Sequence, residues 1–523
     1  MNVKLLKPVS RRSRSLAWAV CLALAVMMAG SPAEARNLRG PLTGVQLDMS
    51  NNKPTCQIVY ILFDPASTYL GKPISKFKLY RNSRVVNEVK YENVGHSGGT
   101  KLSVSDSRFM PATGTPNSYQ VTAVNSLEQE SPLSSTVVFK PVWSLCKAEA
   151  KLKTVVVVPA LPVGVPAGEV VQHARLKEVF VDLPLSASNF FKSMSVEAGQ
   201  VRWAGPEFVI TAQKPLPKSI AEYTNNGMVA IGPAVRADLL SIKSSIQATN
   251  PTKYSDHNAV FVFVVMGSPG GGEAGASIIR VSGQNMLPGK PLEIALGVVL
   301  HEIGHHLGLQ HSSSVRTKTP ATPDCTATNS LPFGVDPFNT IRNCERATYG
   351  DLGDAMAAGN IRPYSAYSRG LLFGHAPVNL AQSGGSKQKT VRLYASSYVA
   401  NGTNPGNWGG ANAQVVRFRL DKLDPGGDSY YYVEYRNGTG FSDPVATGAS
   451  CAPVPGVHVR FRSGFKIGDG DWGTVQTYTP ALGCNTYGIA TASKTITYDT
   501  ASGFKVEVLN MTTDFADVSL TWK

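Results

Sequence analysis

The 523-residue chain has little charge: Asp, Glu, Lys and Arg make up 16% of it, and no cluster of Lys and Arg occurs after residue 35. That scatter gives nucleic acid no basic stripe to follow and leaves only a general attraction to acidic surfaces. No apolar run after residue 35 is long enough to span a bilayer, so the sequence predicts no membrane anchor. It also lacks internal repeats and a low-complexity tail. Only seven cysteines and nine histidines are present, against 49 glycines and 34 prolines. A composition this rich in turn formers and poor in charge suits a loop-rich extracellular protein.

The N-terminus supports export. Lys4, Lys7, Arg11, Arg12 and Arg14 form a basic region, Leu16 to Met28 an apolar run, and Ala33-Glu34-Ala35 a small-x-small cleavage site. Residues 1–35 therefore read as a signal peptide that is removed. Ser10-Arg11-Arg12 invites a twin-arginine reading, but no Phe-Leu-Lys follows, which favours ordinary Sec export. The leader's five basic residues and Glu34 account for +4 of the formal +14 charge, which leaves +10 on the mature chain. About 490 residues remain, enough for about three domains.

Cys21 leaves with the signal. The six that remain, Cys56, Cys146, Cys325, Cys344, Cys451 and Cys484, are an even number in an exported chain and read as disulfides. Grouped by region, they predict Cys56–Cys146, Cys325–Cys344 and Cys451–Cys484. The rival role for Cys56, as a thiol that caps a metal for latency, would leave Cys146 unpaired outside the cell.

Four of the nine histidines fall within eleven residues: His301, Glu302, Ile303, Gly304, His305, His306, Leu307, Gly308, Leu309, Gln310 and His311 spell H-E-x-x-H-x-x-G-x-x-H. Residues four apart share a helix face, so His301 and His305 can aim at one ion. A tetrahedral site needs its third ligand from another direction. Gly308 lets the chain turn out of the helix through positive φ and bring His311 back. Glu302 faces the water such a zinc activates and is the expected general base. His306 lies about 100° round the helix from His305 and is read as a surface or supporting residue. Chance would write the five specified positions with a probability on the order of 10⁻⁵ in a chain like this. The plain alternative is a buried helix with incidental histidines. Pro291 and the apolar Leu292, Leu296, Val299, Leu300, Ile303 and Leu307 suit a buried helix in either case.

With this motif the chain resembles the metzincin metallopeptidases, which carry a methionine-centred turn downstream of the third histidine. Tyr349-Gly350-Asp351-Leu352-Gly353-Asp354-Ala355-Met356 looks like that turn in the gametolysin-like group. The resemblance implies that Met356 floors the three histidines. Some metzincins place a tyrosine two residues beyond the methionine; here that position is Ala358. Tyr364 and Tyr367 follow and are read first as packing residues, second as transition-state donors.

The predicted fold is multidomain, an α/β metzincin-like catalytic domain flanked by two all-β sandwich domains. Residues 37–146 alternate with period two in Phe77 to Asn82 and Tyr119 to Val124; with Ser131-Pro132-Leu133-Ser134 they resemble a fibronectin type III sandwich. Val155 to Gly168, rich in Val, Pro and Gly, reads as a linker at the vague edge of the next domain. The zinc peptidase domain is placed at 150–380, with a β run at Asn258 to Met266 and a helix near Ala234 to Ala248. The glycines of Ser268 to Ile279 lack the Gly-Lys-Ser/Thr of a phosphate loop. The metzincin likeness puts Gly275 to Ile279 near an edge strand that pairs with substrate, while a flexible hairpin is the simpler alternative. Ser312 to Arg342 is expected to wall the cleft. Residues 385–523 alternate in Gln414 to Leu420, Tyr430 to Tyr435, Val457 to Phe461 and Val518 to Trp522, as in a sandwich. Asp469 and Asp471 hint at structural calcium, with few oxygen ligands in view.

Together these features predict a secreted, monomeric zinc endopeptidase acting on proteins or glycoproteins, with no nucleic-acid partner. The alternative is an adhesin or matrix-binding protein with a structural zinc.

Overall fold

The computed structural model describes residues 36–48, 59–97, 101–106, 116–140, 147–223, 233–268, 270–274, 278–309, 311–317, 344–347, 354–357, 361–375, 377–380, 387–395, 411–419, 430–437, 456–462, 475–477, 489–490, 495–499 and 504–522. Residues 1–35, Cys56, Cys146, Cys325, Cys451, Cys484, Asp469 and Asp471 lie outside them; Cys344 enters through its backbone alone. Most regular structure is β, and the chain divides into two compact units, the first built from described residues 36–139 and the second beginning at residue 140.

The first unit is two sheets around one core. Strands β1 (Val59–Phe63) and β4 (Lys101–Asp106) pair in one sheet, and β2 (Lys72–Arg81) pairs with β3 (Arg84–Lys90) and β5 (Asn117–Asn125) in the other. The two runs that alternate in the sequence lie side by side, Phe77 opposite Ala123 and Leu79 opposite Val121, so their apolar residues share one buried face. A buried ion pair, Arg81 Nη1 to Asp106 at 3.0 Å, accepts a further hydrogen bond from Tyr119 on the same carboxylate.

The second unit opens with a sheet that also carries helices. Its central strand is β6 (Thr154–Val163), flanked by β7 (Glu207–Ile210) and β8 (Ala259–Val265), both parallel to it. The expected linker at Val155 to Gly168 is thus mostly the middle of a sheet. Its residues from Thr154 to Ala160 are all buried, because a parallel strand covered on both faces reads as a continuous apolar run and shows no alternation; two prolines completed the disguise. Beyond β8 lie β10 (Ile279–Ser282), parallel, and β9 (Gly272–Ala274), antiparallel at the edge. The edge strand therefore precedes the expected Gly275 to Ile279, and Ile279 already belongs to the next strand inward. Helix α2 (Pro233–Thr249) covers one face of this sheet through Val235, Leu239 and Ile246. The other face takes α1 (Ala187–Met194) and α3 (Leu292–His306).

After α3 the chain returns to strands. The pair β11 (Ser313–Thr317) and β12 (Cys344–Ala347) joins an eight-stranded sheet, and helix α4 (Ala366–Phe373) leads to its far edge strand β13 (Val378–Leu380). From β11 the sheet continues through β18 (Val475–Thr477), β17 (Gly456–Arg462), β16 (Tyr430–Arg436) and β15 (Val415–Arg419) to β13. A second sheet, centred on β14 (Lys387–Tyr394), β20 (Phe515–Trp522) and β19 (Phe504–Met511), faces it. Val416, Phe418, Tyr431 and Val433 meet Leu393, Phe504, Val518 and Leu520 in the core between them, as a sandwich requires. Among the described residues, no helix is long and apolar enough to cross a membrane.

Candidate metal centre

Helix α3 is held by its apolar stripe. Leu296, Val299, Leu300 and Ile303 are fully buried on the sheet, and burial of such side chains contributes about 1.5–3 kcal/mol each. With that stripe against the sheet, His301 and His305 fall on the opposite side of the last turns. The helix ends at His306, Gly308 takes φ +98°, and the Gly308 and Leu309 N–H groups donate to the carbonyls of His305 and Gly304. This left-handed exit, read from the sequence, brings His311 back over the helix end.

The three imidazoles converge. His305 Nε2 lies 3.1 Å from His301 Nε2 and 2.8 Å from His311 Nε2. His301 Nδ1 is 3.1 Å from the Ala355 carbonyl and His305 Nδ1 2.8 Å from the Leu309 carbonyl. A carbonyl only accepts, so both Nδ1 atoms carry the proton, and both Nε2 atoms point lone pairs at the same small space. Converging lone pairs repel unless a cation lies between them. Ligands of a tetrahedral zinc stand about 3.3 Å apart, given Zn–N distances of roughly 2.0–2.1 Å. The residues fit such an ion, and His301, His305 and His311 can hold a metal. Burial, opposed by its bond to Ala355, lowers the His301 pKa to about 4, which keeps it neutral and ready to ligate. His306 is half-buried and stands apart from this cluster.

Glu302 is 6% exposed. Burial first, and then the neighbouring charge of Glu273, raise its pKa to about 7; Arg280 and a hydrogen bond from the Ala274 backbone oppose the rise. The edge strand β9 lies directly against it. A Cβ added at Gly272 would meet Glu302 Cγ at 2.6 Å and Oε1 at 2.9 Å.

Of the methionine turn, Asp354 to Ala357 are described, and Tyr349 to Gly353 and Ala358 lie outside. Met356 is fully buried beneath α3, and a Cβ at Gly304 would lie 2.3 Å from its sulfur. Glycine at 304 is what lets the helix backbone rest on the thioether. Tyr364 is fully buried and donates to the Leu300 carbonyl at 2.8 Å, while Tyr367 stacks edge-on with Tyr432 at 5.8 Å. Both side chains are buried in the core beneath α3. Sequence reasoning missed Gly272 and the bonding role of Asp354. The only available signal for Asp354 was its place two residues before Met356, the spacing of a side chain that caps its own turn.

No protein-family model matches the chain, and no curated protein matches it. Solved structures match only in part. The central fibronectin-III array of RIM-binding protein aligns at 12% identity over 21% of this chain and 36% of that one, with a TM-score of 0.16. The spore cortex lytic enzyme SleM of Clostridium perfringens aligns at 15% identity over 20% and 28%, TM-score 0.14. A β-1,2-glucanase from Parabacteroides distasonis aligns at 19% identity over 22% and 15%, TM-score 0.15. The chain thus spans between 15% and 36% of the length of these three, and such scores carry no argument about fold or activity.

Proposed function

We propose that the protein is an exported zinc-dependent endopeptidase of metzincin type, with His301, His305 and His311 as ligands and Glu302 as general base. The observation that carries this reading is the convergence of three Nε2 atoms beside a buried glutamate that is not itself a ligand. Further support comes from the single antiparallel edge strand above α3 and from Met356 beneath the ligands. Zinc held there supplies Lewis-acid polarisation of water and of the scissile carbonyl. Glu302 removes the proton from the attacking water as the new C–O bond forms. It then delivers that proton to the leaving amine nitrogen as the C–N bond breaks. Its burial beside the three histidines places it to serve both transfers. Among the described residues no strand pairs with the outer edge of β9, which leaves that edge for an extended peptide to add to.

A purely structural zinc, as the adhesin reading would have it, is usually closed by four protein ligands and has no use for a carboxylate set beside it. The test is cleavage of casein and of a broad peptide library by the mature protein, with and without chelator, beside Glu302→Ala. We expect the substitution to cut kcat by about 10²–10⁴-fold without loss of metal. A folded, zinc-loaded wild type that cleaves no more than the variant would overturn the reading.

A further inference from the structure

The third ligand is the one that the helix does not hold. His311 sits beyond Gly308, and the residue after it, Ser312, is tied twice to the methionine turn. Its N–H donates to the Met356 carbonyl at 3.0 Å, and its hydroxyl donates to Asp354 Oδ2 at 2.8 Å. Asp354 is 2% exposed. Its Oδ1 accepts the Met356 N–H at 2.8 Å and its Oδ2 also accepts the Ser365 N–H at 3.1 Å. Ser365 caps α4, and Tyr364 before it bonds the carbonyl of Leu300, one residue ahead of the first ligand. Between Asp354 and Met356, Ala355 offers the carbonyl that fixes the His301 tautomer. One buried carboxylate thus joins the backbone that carries His311, the turn that orients His301 and the helix cap beneath α3.

We infer that Asp354 is a positioning residue of the metal centre, a clasp that sets where His311 stands relative to His301 and His305. This rests on the reading of the three histidines as zinc ligands. Partners that orient ligands from behind govern metal affinity because a ligand free to drift loses its directed lone pair. Asparagine cannot replace this carboxylate. Whichever oxygen becomes the amide NH2 then faces a backbone N–H, that of Met356 or of Ser365, and two donors meet in a buried space. Ser312→Ala is the gentler cut: it removes only the hydroxyl link between Asp354 and the third-ligand segment and leaves the Ser312 N–H bond to Met356.

The experiment is zinc affinity of the full mature chain by competition with a chromophoric chelator, together with the visible spectrum of the cobalt(II)-substituted protein. Asp354→Asn should weaken zinc by about 10–100-fold and Ser312→Ala by about 10-fold. Both should alter the intensity of the cobalt bands, which report ligand geometry, and in peptide cleavage should lower kcat more than they change KM. Should Asp354→Asn fail to fold, Ser312→Ala decides. Folded variants that bind zinc as tightly as wild type, with an unchanged cobalt spectrum, overturn the clasp. Wild type that binds zinc but cleaves nothing overturns the peptidase reading alone, since the affinity and spectral comparison does not depend on turnover.

Discussion

At Gly272, a single hydrogen separates the backbone of an edge strand from the side chain of the proposed base. A methyl there would overlap Glu302 Cγ and, at 2.8 Å, Val298 Cγ1. Contacts this short cannot be absorbed in place, so either β9 lifts from α3 or Glu302 changes rotamer. Gly272→Ala should therefore lower kcat by roughly 10–100-fold, since small misplacements of a catalytic group cost that much, while zinc stoichiometry by metal analysis stays at the wild-type level. Full activity in the alanine variant would show that the base tolerates displacement. Gly272 was visible in the sequence only as the third of three glycines. What it touches comes from the strand order, which no local pattern encodes.

Helix α3 is an element whose two ends answer to different partners. Its C-terminal turn receives Lys151, whose ammonium lies 3.4 Å from the Leu307 carbonyl. A cation belongs at a helix C-terminus, but burial lowers the Lys151 pKa to about 8 from an ordinary 10.5. Because the folded pKa is depressed, the folded state holds its proton less tightly than the unfolded state. The cost of burying the charge is complete below about pH 8, shrinks as pH rises toward 10.5, and vanishes above that value. Lys151→Met should accordingly raise stability in urea melts at pH 7, by about 1–3 kcal/mol, with the gain fading between pH 8 and 10.5. A loss at pH 7 would mean that the carbonyl contact outweighs the desolvation, and a gain that persists at pH 11 would mean that the buried charge is not its source. Strand β6 teaches the complementary lesson. Its apolar run contained the information for a buried parallel strand, but only the neighbours on both faces distinguish such a run from a linker.

Across the second unit, the boundary drawn near residue 380 separates two cores that share both strands and charges. Strand β11, which begins two residues after His311, pairs with β18 of the C-terminal sheet. Along β16 the side chains alternate: Tyr431 and Val433 enter the sandwich core, whereas Tyr432 joins the core beneath α3 and Glu434 meets Arg369 of α4. Glu434 also takes Arg436 at 2.9 Å and Arg460, all of them buried. Burial by itself would raise the Glu434 pKa, but Arg436, Arg460 and Arg369 hold it far below the usual carboxylate range. The stability this contributes is complete above the ordinary carboxylate pKa near 4.5 and is lost only as strong acid protonates the folded form. Glu434→Gln should destabilise the protein by about 3–5 kcal/mol at pH 7, since it strands buried guanidinium charge. Because α4 follows directly on Ser365, we expect the same variant to loosen zinc binding. Unchanged melting by calorimetry would refute the destabilisation, and unchanged zinc affinity the coupling.

What the sequence determined by itself is the local chemistry. The spacing of His301 and His305 on one helix, the left-handed exit at Gly308, the return of His311 and the apolar stripe of α3 all follow from contacts within about twenty residues, where helix periodicity and glycine φ suffice. The alternating strands of the first unit and of the C-terminal sandwich were legible for the same reason, since period two marks a strand whose two faces meet different surroundings. Only the tertiary structure decided that Gly272 lies on Glu302, that Asp354 gathers Ser312, Met356 and Ser365, and that Glu434 reaches Arg369 across 65 positions of chain. Those contacts arise where separate elements are packed together, and their partners leave no periodic trace in either segment alone.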